Sequence, residues 1–266
     1  MVSILGSVLL ICGLIAAQAA SAQSHAAAPT MLADTKSSVP PGDVTPAPKP
    51  VLTAEMRGDI SMARKDYRQA IEIYSEIKPQ TAIILNKIGI AYHQLTELNT
   101  ARRYYERAVK ANRLYAEAVN NIGTIHYAQR SYRRAVGQYQ KALKLAPQSA
   151  SIHSNLGTAW FARKNYKRAV ECYQRALDLD PEVFEHRSTA GVLLQERSVA
   201  ERAKFHFYMA KLYAKSGAND RALQYIRKAI EEGFKERNKF VEEPEFANLQ
   251  QLPEFQELLA LQPRVL

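Results

Sequence analysis

Apolar side chains return every three or four positions through most of this chain, between about residue 51 and residue 236. The stretch 116–147, AEAVNNIGTIHYAQRSYRRAVGQYQKALKLAP, shows the pattern in two halves that a short polar segment joins. This spacing places the apolar residues of each half on one face of a helix. The pattern therefore predicts pairs of amphipathic helices, with a tight turn inside each pair.

The same pattern returns at a fixed distance of 34 residues. Five sets of residues share this spacing, namely Gly89, Gly123 and Gly157; Ala101, Ala135 and Ala169; Tyr105, Tyr139 and Tyr173; Ala108, Ala142 and Ala176; and Pro147 with Pro181. A fixed period of about 20 to 50 residues is typical of stacked repeats, none of which can bury its apolar face alone. Such folds present binding surfaces rather than catalytic pockets.

Small residues in the repeat predict close contacts between helices. The glycine set removes a side chain where a first helix crosses its partner, and the alanine set does the same from the second helix. Tyr139 and Tyr173, two turns into their helices, are expected to fill the space that remains between units. Pro147 and Pro181 are expected to end second helices, because proline lacks the amide donor and clashes with the preceding turn.

These sets resemble the motif of the tetratricopeptide repeat family, which has small residues on the first helix, alanine and an aromatic residue on the second, and a closing proline. The resemblance covers three full units, 82–115, 116–149 and 150–183, and a shorter upstream unit at about 51–81. It implies an all-α, right-handed superhelical solenoid of antiparallel helix pairs. We expect about five units and a C-terminal helical cap.

Two alignments compete downstream of residue 183. Ala203, Phe207 and Ala210 continue the spacing of 34, whereas Gly217 and Ala222 fit a new unit that begins near residue 203. We favour the second alignment, which gives a unit at 203–236, an insertion at 184–202 and a helical cap at 237–266. The insertion is expected to form either a loop over the groove of the solenoid or a short extra helix.

The N-terminal 22 residues carry no charged side chain and are apolar from Ile4 to Ala17. They end in Ala20, Ser21 and Ala22, which fits a signal-peptidase site, so we predict a signal peptide at 1–22. An uncleaved membrane anchor is the alternative. Residues 23–50, rich in alanine, proline and serine, are predicted to be a disordered linker. The protein is therefore expected to be exported, to the periplasm or beyond the cell.

Residues that could carry chemistry are few and scattered. The chain has no HExxH, CxxC, GxSxG or Walker sequence, and its six histidines lie on different units without ligand spacing. Of the two cysteines, Cys12 would leave with the signal peptide, and Cys172 is interpreted as a packing residue. We therefore predict no enzyme, no cofactor and no metal site.

The resemblance implies that the first helices line a concave groove, which here is polar and nearly uncharged. The residues predicted to bind a peptide in it are Asn86, His93, Asn120, Asn121, Thr124, Tyr127, Asn155, Thr158 and Phe161. Side-chain amides offer a donor and an acceptor, so Asn121 and Asn155 could bind the backbone of an extended peptide. Alternatively, these two amides satisfy hydrogen bonds between helices. The main functional prediction is a non-catalytic adaptor for a partner protein or peptide.

A second candidate surface is basic, consistent with the net charge of +10. Its residues surround the turns between paired helices and are Arg130, Arg133, Arg134, Lys164, Lys167 and Arg168. This basic edge predicts an alternative function, salt-sensitive binding of a polyanion or a membrane surface. Nucleic acid is not expected as the partner of an exported chain. A third alternative is a structural spacer that uses neither surface.

Overall fold

The computed structural model describes residues 52–184 and 198–261, which all fall within one compact unit. These residues form five antiparallel helix pairs, which confirms the predicted all-α fold. The helices are α1 (Ala54–Ala63), α2 (Tyr67–Glu76), α3 (Ala82–Gln94), α4 (Leu98–Ala111), α5 (Ala116–Ala128), α6 (Tyr132–Leu145), α7 (Ala150–Ala162), α8 (Tyr166–Leu179), α9 (Val199–Lys215) and α10 (Asn219–Glu231). Predictions for residues 1–50 and for most of the insertion lie outside the described residues.

The turn inside each pair has the same backbone geometry. One residue adopts a left-handed conformation in each turn: Lys65, Thr96, Arg130 and Lys164, with φ between 58° and 63°, and Gly217, with φ 77°. In the fourth pair, the amide of Lys164 donates to the carbonyl of Phe161 at 2.8 Å, and that of Asn165 donates to the carbonyl of Trp160 at 3.0 Å. These two bonds close the end of the first helix and start the second.

A glycine and a tyrosine set the crossing of the two helices in each of the first four pairs. The tyrosine lies 16 residues after the glycine, as in Gly123 and Tyr139, and its ring is buried. A Cβ atom built on Gly123 would lie 2.6 Å from Cε1 of Tyr139. The rings pack against the glycine inside each pair. They also contact the next unit, as predicted: Tyr173, for example, meets Phe205 on α9 edge-on at 5.5 Å.

The fifth pair uses a different combination at the same two positions. Ala210 and Ile226 replace glycine and tyrosine there, and both are fully buried. The smaller isoleucine leaves room for the methyl group of alanine. Because the glycine and the tyrosine of the repeat are absent here, the sequence pattern alone leaves two alignments open downstream of residue 183.

Three further helical segments follow the fifth pair: α11 (Lys239–Glu242), a 3₁₀ turn (Pro244–Phe246) and α12 (Pro253–Ala260). Their aromatic side chains pack against α9. Phe207 stacks on Phe234 with ring centroids 4.5 Å apart and meets Phe240 edge-on at 5.4 Å. Phe240 and Phe246 are fully buried. These segments cover the apolar face of the last pair.

The buried core is distributed unevenly along the chain. One large cluster of buried side chains extends from α5 to α12. The first two pairs contribute instead to three small clusters, around Tyr74, Leu85 and Tyr105. Within the described residues, no helix is both long and apolar enough to cross a membrane.

Candidate functional site

Buried asparagines join the first helices of successive pairs. The amide nitrogen of Asn121 on α5 donates to the side-chain oxygen of Asn86 on α3, at 3.0 Å. The amide nitrogen of Asn155 on α7 donates in the same way to Asn120 on α5, also at 3.0 Å. Asn120 in turn donates to Asn121 at 3.3 Å. We call this chain of side-chain amides the asparagine ladder.

The ladder begins with an ion pair at the amino-terminal end of the stack. Glu55 on α1 and Lys87 on α3 occupy the positions that Asn86 and Asn121 occupy one unit later. The ammonium of Lys87 donates to the carboxylates of Glu55 and Asp59, at 2.7 Å in each case. The same two repeat positions thus join α1 to α3, α3 to α5 and α5 to α7.

Most of the predicted peptide-binding groove is buried between helices. Of the nine predicted residues, only His93, Asn121 and Thr124 are half-buried. The six buried ones are Asn86, Asn120, Tyr127, Asn155, Thr158 and Phe161. At these six positions the side chains pack against or hydrogen-bond to neighbouring helices, and peptide binding by the nine residues stays a prediction.

Thr124, Thr158 and Phe161 form contacts between helices. The hydroxyl of Tyr139 donates to Thr124 at 3.3 Å, and that of Tyr173 donates to Thr158 at 3.2 Å. The ring of Phe161 meets those of Phe205 and Tyr208 on α9 edge-on, at 5.9 and 6.1 Å. These contacts join α5 to α6, α7 to α8, and α7 to α9.

A cleft of about 610 Å³ opens between α8 and α9, where the fourth pair meets the fifth. Its apolar wall consists of Tyr166, Val170, Tyr208 and Leu212, and the two tyrosine rings stack with centroids 5.4 Å apart. Val170 is half-buried, whereas Val136, its equivalent one unit earlier, is only 5% exposed. The cleft exists because α8 and α9 pack less closely than α6 and α7.

Charged side chains line the rest of the cleft. Lys211 is held by Glu243 at 2.6 Å and by Glu245 at 3.3 Å. Lys167 and Lys215 are exposed and form no ion pair within the described parts of the chain. The rim thus carries charges of both signs, since Arg175, Glu171, Asp178 and Glu245 also line it.

The predicted basic edge is exposed as expected. All six of its residues, Arg130, Arg133, Arg134, Lys164, Lys167 and Arg168, are exposed, and none forms an ion pair with a residue in 52–184 or 198–261. The guanidinium carbon of Arg168 lies 4.7 Å from the centre of the Trp160 ring. Lys167 belongs both to this edge and to the lining of the cleft.

Comparison with protein families identifies the helix pairs. Residues 52–113 and 120–183 each match a family model described as a tetratricopeptide repeat. The chain is a tetratricopeptide repeat protein. No curated protein matches it significantly. The fifth pair of this tetratricopeptide repeat protein and its cap lie beyond the matched residues.

Solved structures with similar helix pairs include MamA from Desulfovibrio magneticus RS-1, which is 18% identical, with a TM-score of 0.46 over 67% of this chain and 92% of that one. YrrB, described as a tetratricopeptide repeat protein with an unusual peptide-binding site, is 19% identical, with a TM-score of 0.42 over 52% and 70%. The first repeat domain of Spaghetti, bound to a peptide of a chaperone, is 23% identical, with a TM-score of 0.39 over 41% and 86%.

The described residues of this tetratricopeptide repeat protein contain no group of three or more His, Cys, Asp or Glu side chains that could hold a metal ion. The sequence pattern does not predict the cleft. Tyr208 and Leu212 lie on the fifth pair, whose register differs from that of the regular repeats. The available signal in the sequence is the change of register, since the fifth pair does not continue the regular glycine and tyrosine sets.

Proposed function

We propose that this tetratricopeptide repeat protein is a non-catalytic scaffold that binds a segment of a partner protein at the cleft between α8 and α9. The observation that carries this proposal is the apolar wall of the cleft, where Val170 is half-buried although its equivalent Val136 is buried. Apolar side chains of the partner segment would cover the half-buried Tyr166, Val170 and Tyr208. Removal of such apolar surface from water favours association, and the ordering of the bound segment offsets part of that gain.

The test uses the full chain and a library of random 12-residue peptides. Peptides selected for binding are measured by fluorescence anisotropy against the native protein and two cleft variants. Val170→Arg places a charge on the apolar wall, and Glu171→Trp fills the cleft from an exposed position. Leu114→Arg is the matched control, because Leu114 is 76% exposed and lies away from the cleft.

We expect the selected peptides to bind either cleft variant at least about tenfold more weakly and to bind the control unchanged. Circular dichroism and the unfolding midpoint establish that each variant is folded. Selection of no peptide, or of peptides that bind all four proteins equally, would exclude the cleft as the binding site.

We also propose that the scaffold is exported and works in the cell envelope or outside the cell. The support is the uncharged first 22 residues, with their apolar run from Ile4 to Ala17. Mass spectrometry of the protein from its native cells should give a mature N-terminus at Gln23. A protein that begins at residue 1 or 2 and fractionates with cytosolic markers would contradict export.

A further inference from the structure

Arg133 and Arg163 stand at two repeat positions whose equivalents, one unit earlier, are joined by a hydrogen bond. The side-chain amide nitrogen (Nε2) of Gln129 donates to the side-chain oxygen of Asn99 at 3.5 Å. This hydrogen bond joins the turn of the third pair to the second pair. One unit later, the residues at these two positions are Arg163 and Arg133. The repeat register therefore places two arginines at the edge of the stack, and neither has an acidic partner within residues 52–184 and 198–261.

The turns of the third and fourth pairs concentrate charge of one sign. Residues 129–134 and 163–168 contain seven cationic side chains and no acidic one. Some cations of the fifth pair are neutralised instead, as Arg202 is by Glu232 at 3.1 Å and Lys211 by Glu243 at 2.6 Å. Unpaired charges of one sign at a surface attract a ligand of the opposite sign.

The ring of Trp160 holds part of this charge in place. Arg163 and Arg168 both lie with their guanidinium carbons 4.7 Å from the centre of the Trp160 ring. Arginine side chains fixed in this way offer paired donors that match a carboxylate.

The basic edge and the cleft meet at Lys167. Tyr166 and Lys167 are the first two residues of α8, directly after the turn, and both line the cleft. Lys215, at the end of α9, adds a second exposed cation to the lining. A segment that leaves the apolar wall past Lys167 would therefore run onto Lys164 and Arg163.

We infer that the segment bound by this scaffold is acidic, with an apolar anchor that enters the cleft and a run of carboxylates that contacts the basic edge. The inference rests on the proposed function and specifies the chemistry of the partner. It favours a protein segment over a membrane or a bare polyanion, because neither of these would fill the apolar wall that adjoins Lys167.

The probes for this inference are three synthetic 14-residue peptides labelled with fluorescein. The first carries Phe-Leu followed by four glutamates, the second has glutamine in place of each glutamate, and the third has serine in place of Phe-Leu. Affinity for the full chain is measured by anisotropy at low and high salt. The first peptide should bind at least about tenfold more tightly than either of the others, and its affinity should fall as salt rises.

Charge reversal locates the carboxylate contacts. Arg133→Glu with Lys167→Glu should weaken the first peptide at least about tenfold. The matched control is Lys141→Glu with Lys144→Glu, which changes the net charge equally at exposed positions of α6 away from the turns. The control should bind the peptide within about twofold of the native affinity, the error expected where no contact is lost.

The outcomes separate the two proposals. If the glutamine peptide binds as well as the glutamate peptide, and Val170→Arg abolishes both, the cleft binds a segment but the acidic inference is wrong. If no peptide responds to Val170→Arg or Glu171→Trp, the proposed function itself fails. A third outcome is that no peptide binds, whereas phosphatidylserine vesicles bind the native protein and not Arg133→Glu with Lys167→Glu. That result would overturn the inference in favour of a membrane surface.

Discussion

Asn155 donates a hydrogen bond to Asn120 across 3.0 Å, and the two residues are 1% and 4% exposed. A buried amide without a partner costs about 1 to 3 kcal/mol, whereas the net gain from each satisfied bond is smaller. The pair therefore specifies how α5 and α7 are aligned more than it stabilises them. A peptide ligand would have to break this bond to reach either side chain.

Asn155→Leu should lower the free energy of unfolding by about 1 to 3 kcal/mol, because it leaves the amide of Asn120 without its donor. The double variant Asn120→Leu with Asn155→Leu should lose less than the two single variants together. Urea unfolding followed by circular dichroism measures all three. Asn99→Ala, which removes an exposed amide between pairs, is the control and should change the free energy by less than about 0.5 kcal/mol.

Gly123→Ala should destabilise the protein by about 1 to 3 kcal/mol, because its Cβ would lie 2.6 Å from the fixed ring of Tyr139. The fifth pair indicates which second change would relieve this clash, since it combines an alanine, Ala210, with the smaller side chain of Ile226. In a Tyr139→Ile background, Gly123→Ala should therefore cost less than it does alone. A double-mutant cycle from unfolding midpoints tests this, and equal costs in both backgrounds would mean that the ring does not restrict the glycine.

Lys164→Gly should raise the free energy of unfolding by about 1 kcal/mol, because φ is 61° at this position and glycine adopts that conformation without strain. Lys141→Gly, in the middle of α6, should lower it by about 1 kcal/mol. Both substitutions replace lysine with glycine, so opposite signs of the two changes in unfolding free energy would report the backbone conformation and not the loss of the side chain. A loss of stability in both variants would contradict the left-handed conformation at Lys164.

Cys172 should react slowly with thiol reagents in the folded protein. Burial raises the pKa of its thiol to about 11, and the neighbouring carboxylate of Glu171 adds to the shift. Since the thiolate is the reactive form, the labelling rate should rise about tenfold for each pH unit between pH 7 and 10. The measurement uses a Cys12→Ser variant, so that only Cys172 is labelled. A rate at pH 7.5 equal to that of the urea-unfolded chain would contradict this prediction.

The helix pairs could be predicted from the sequence because their determinants repeat. The glycine and tyrosine sets, with the apolar spacing, recur with the period of the fold and act through local packing. The roles of the asparagines could not be predicted in the same way. Identical residues such as Asn121 and Asn155 lie 34 apart, but the bonded pairs, Asn86 with Asn121 and Asn120 with Asn155, lie 35 apart.

The cleft could not be predicted either, for a different reason. Its shape depends on how α9 packs against α8, and α9 belongs to the pair that departs from the regular repeat pattern. The basic edge was predictable, because the turn positions are set by the repeat and charged residues at turns are exposed. The connection between the two surfaces at Lys167 required the structure.

The uneven core gives the stack of helix pairs a direction. Three small clusters support the first two pairs, while one continuous cluster supports α5 to α12. Thermal opening should therefore spread from the amino-terminal end, and amide hydrogens in α1 and α2 should exchange before those in α9 and α10. The cleft and the basic edge stand on the slow-exchanging part of the molecule, so a ligand there meets a surface that is already rigid.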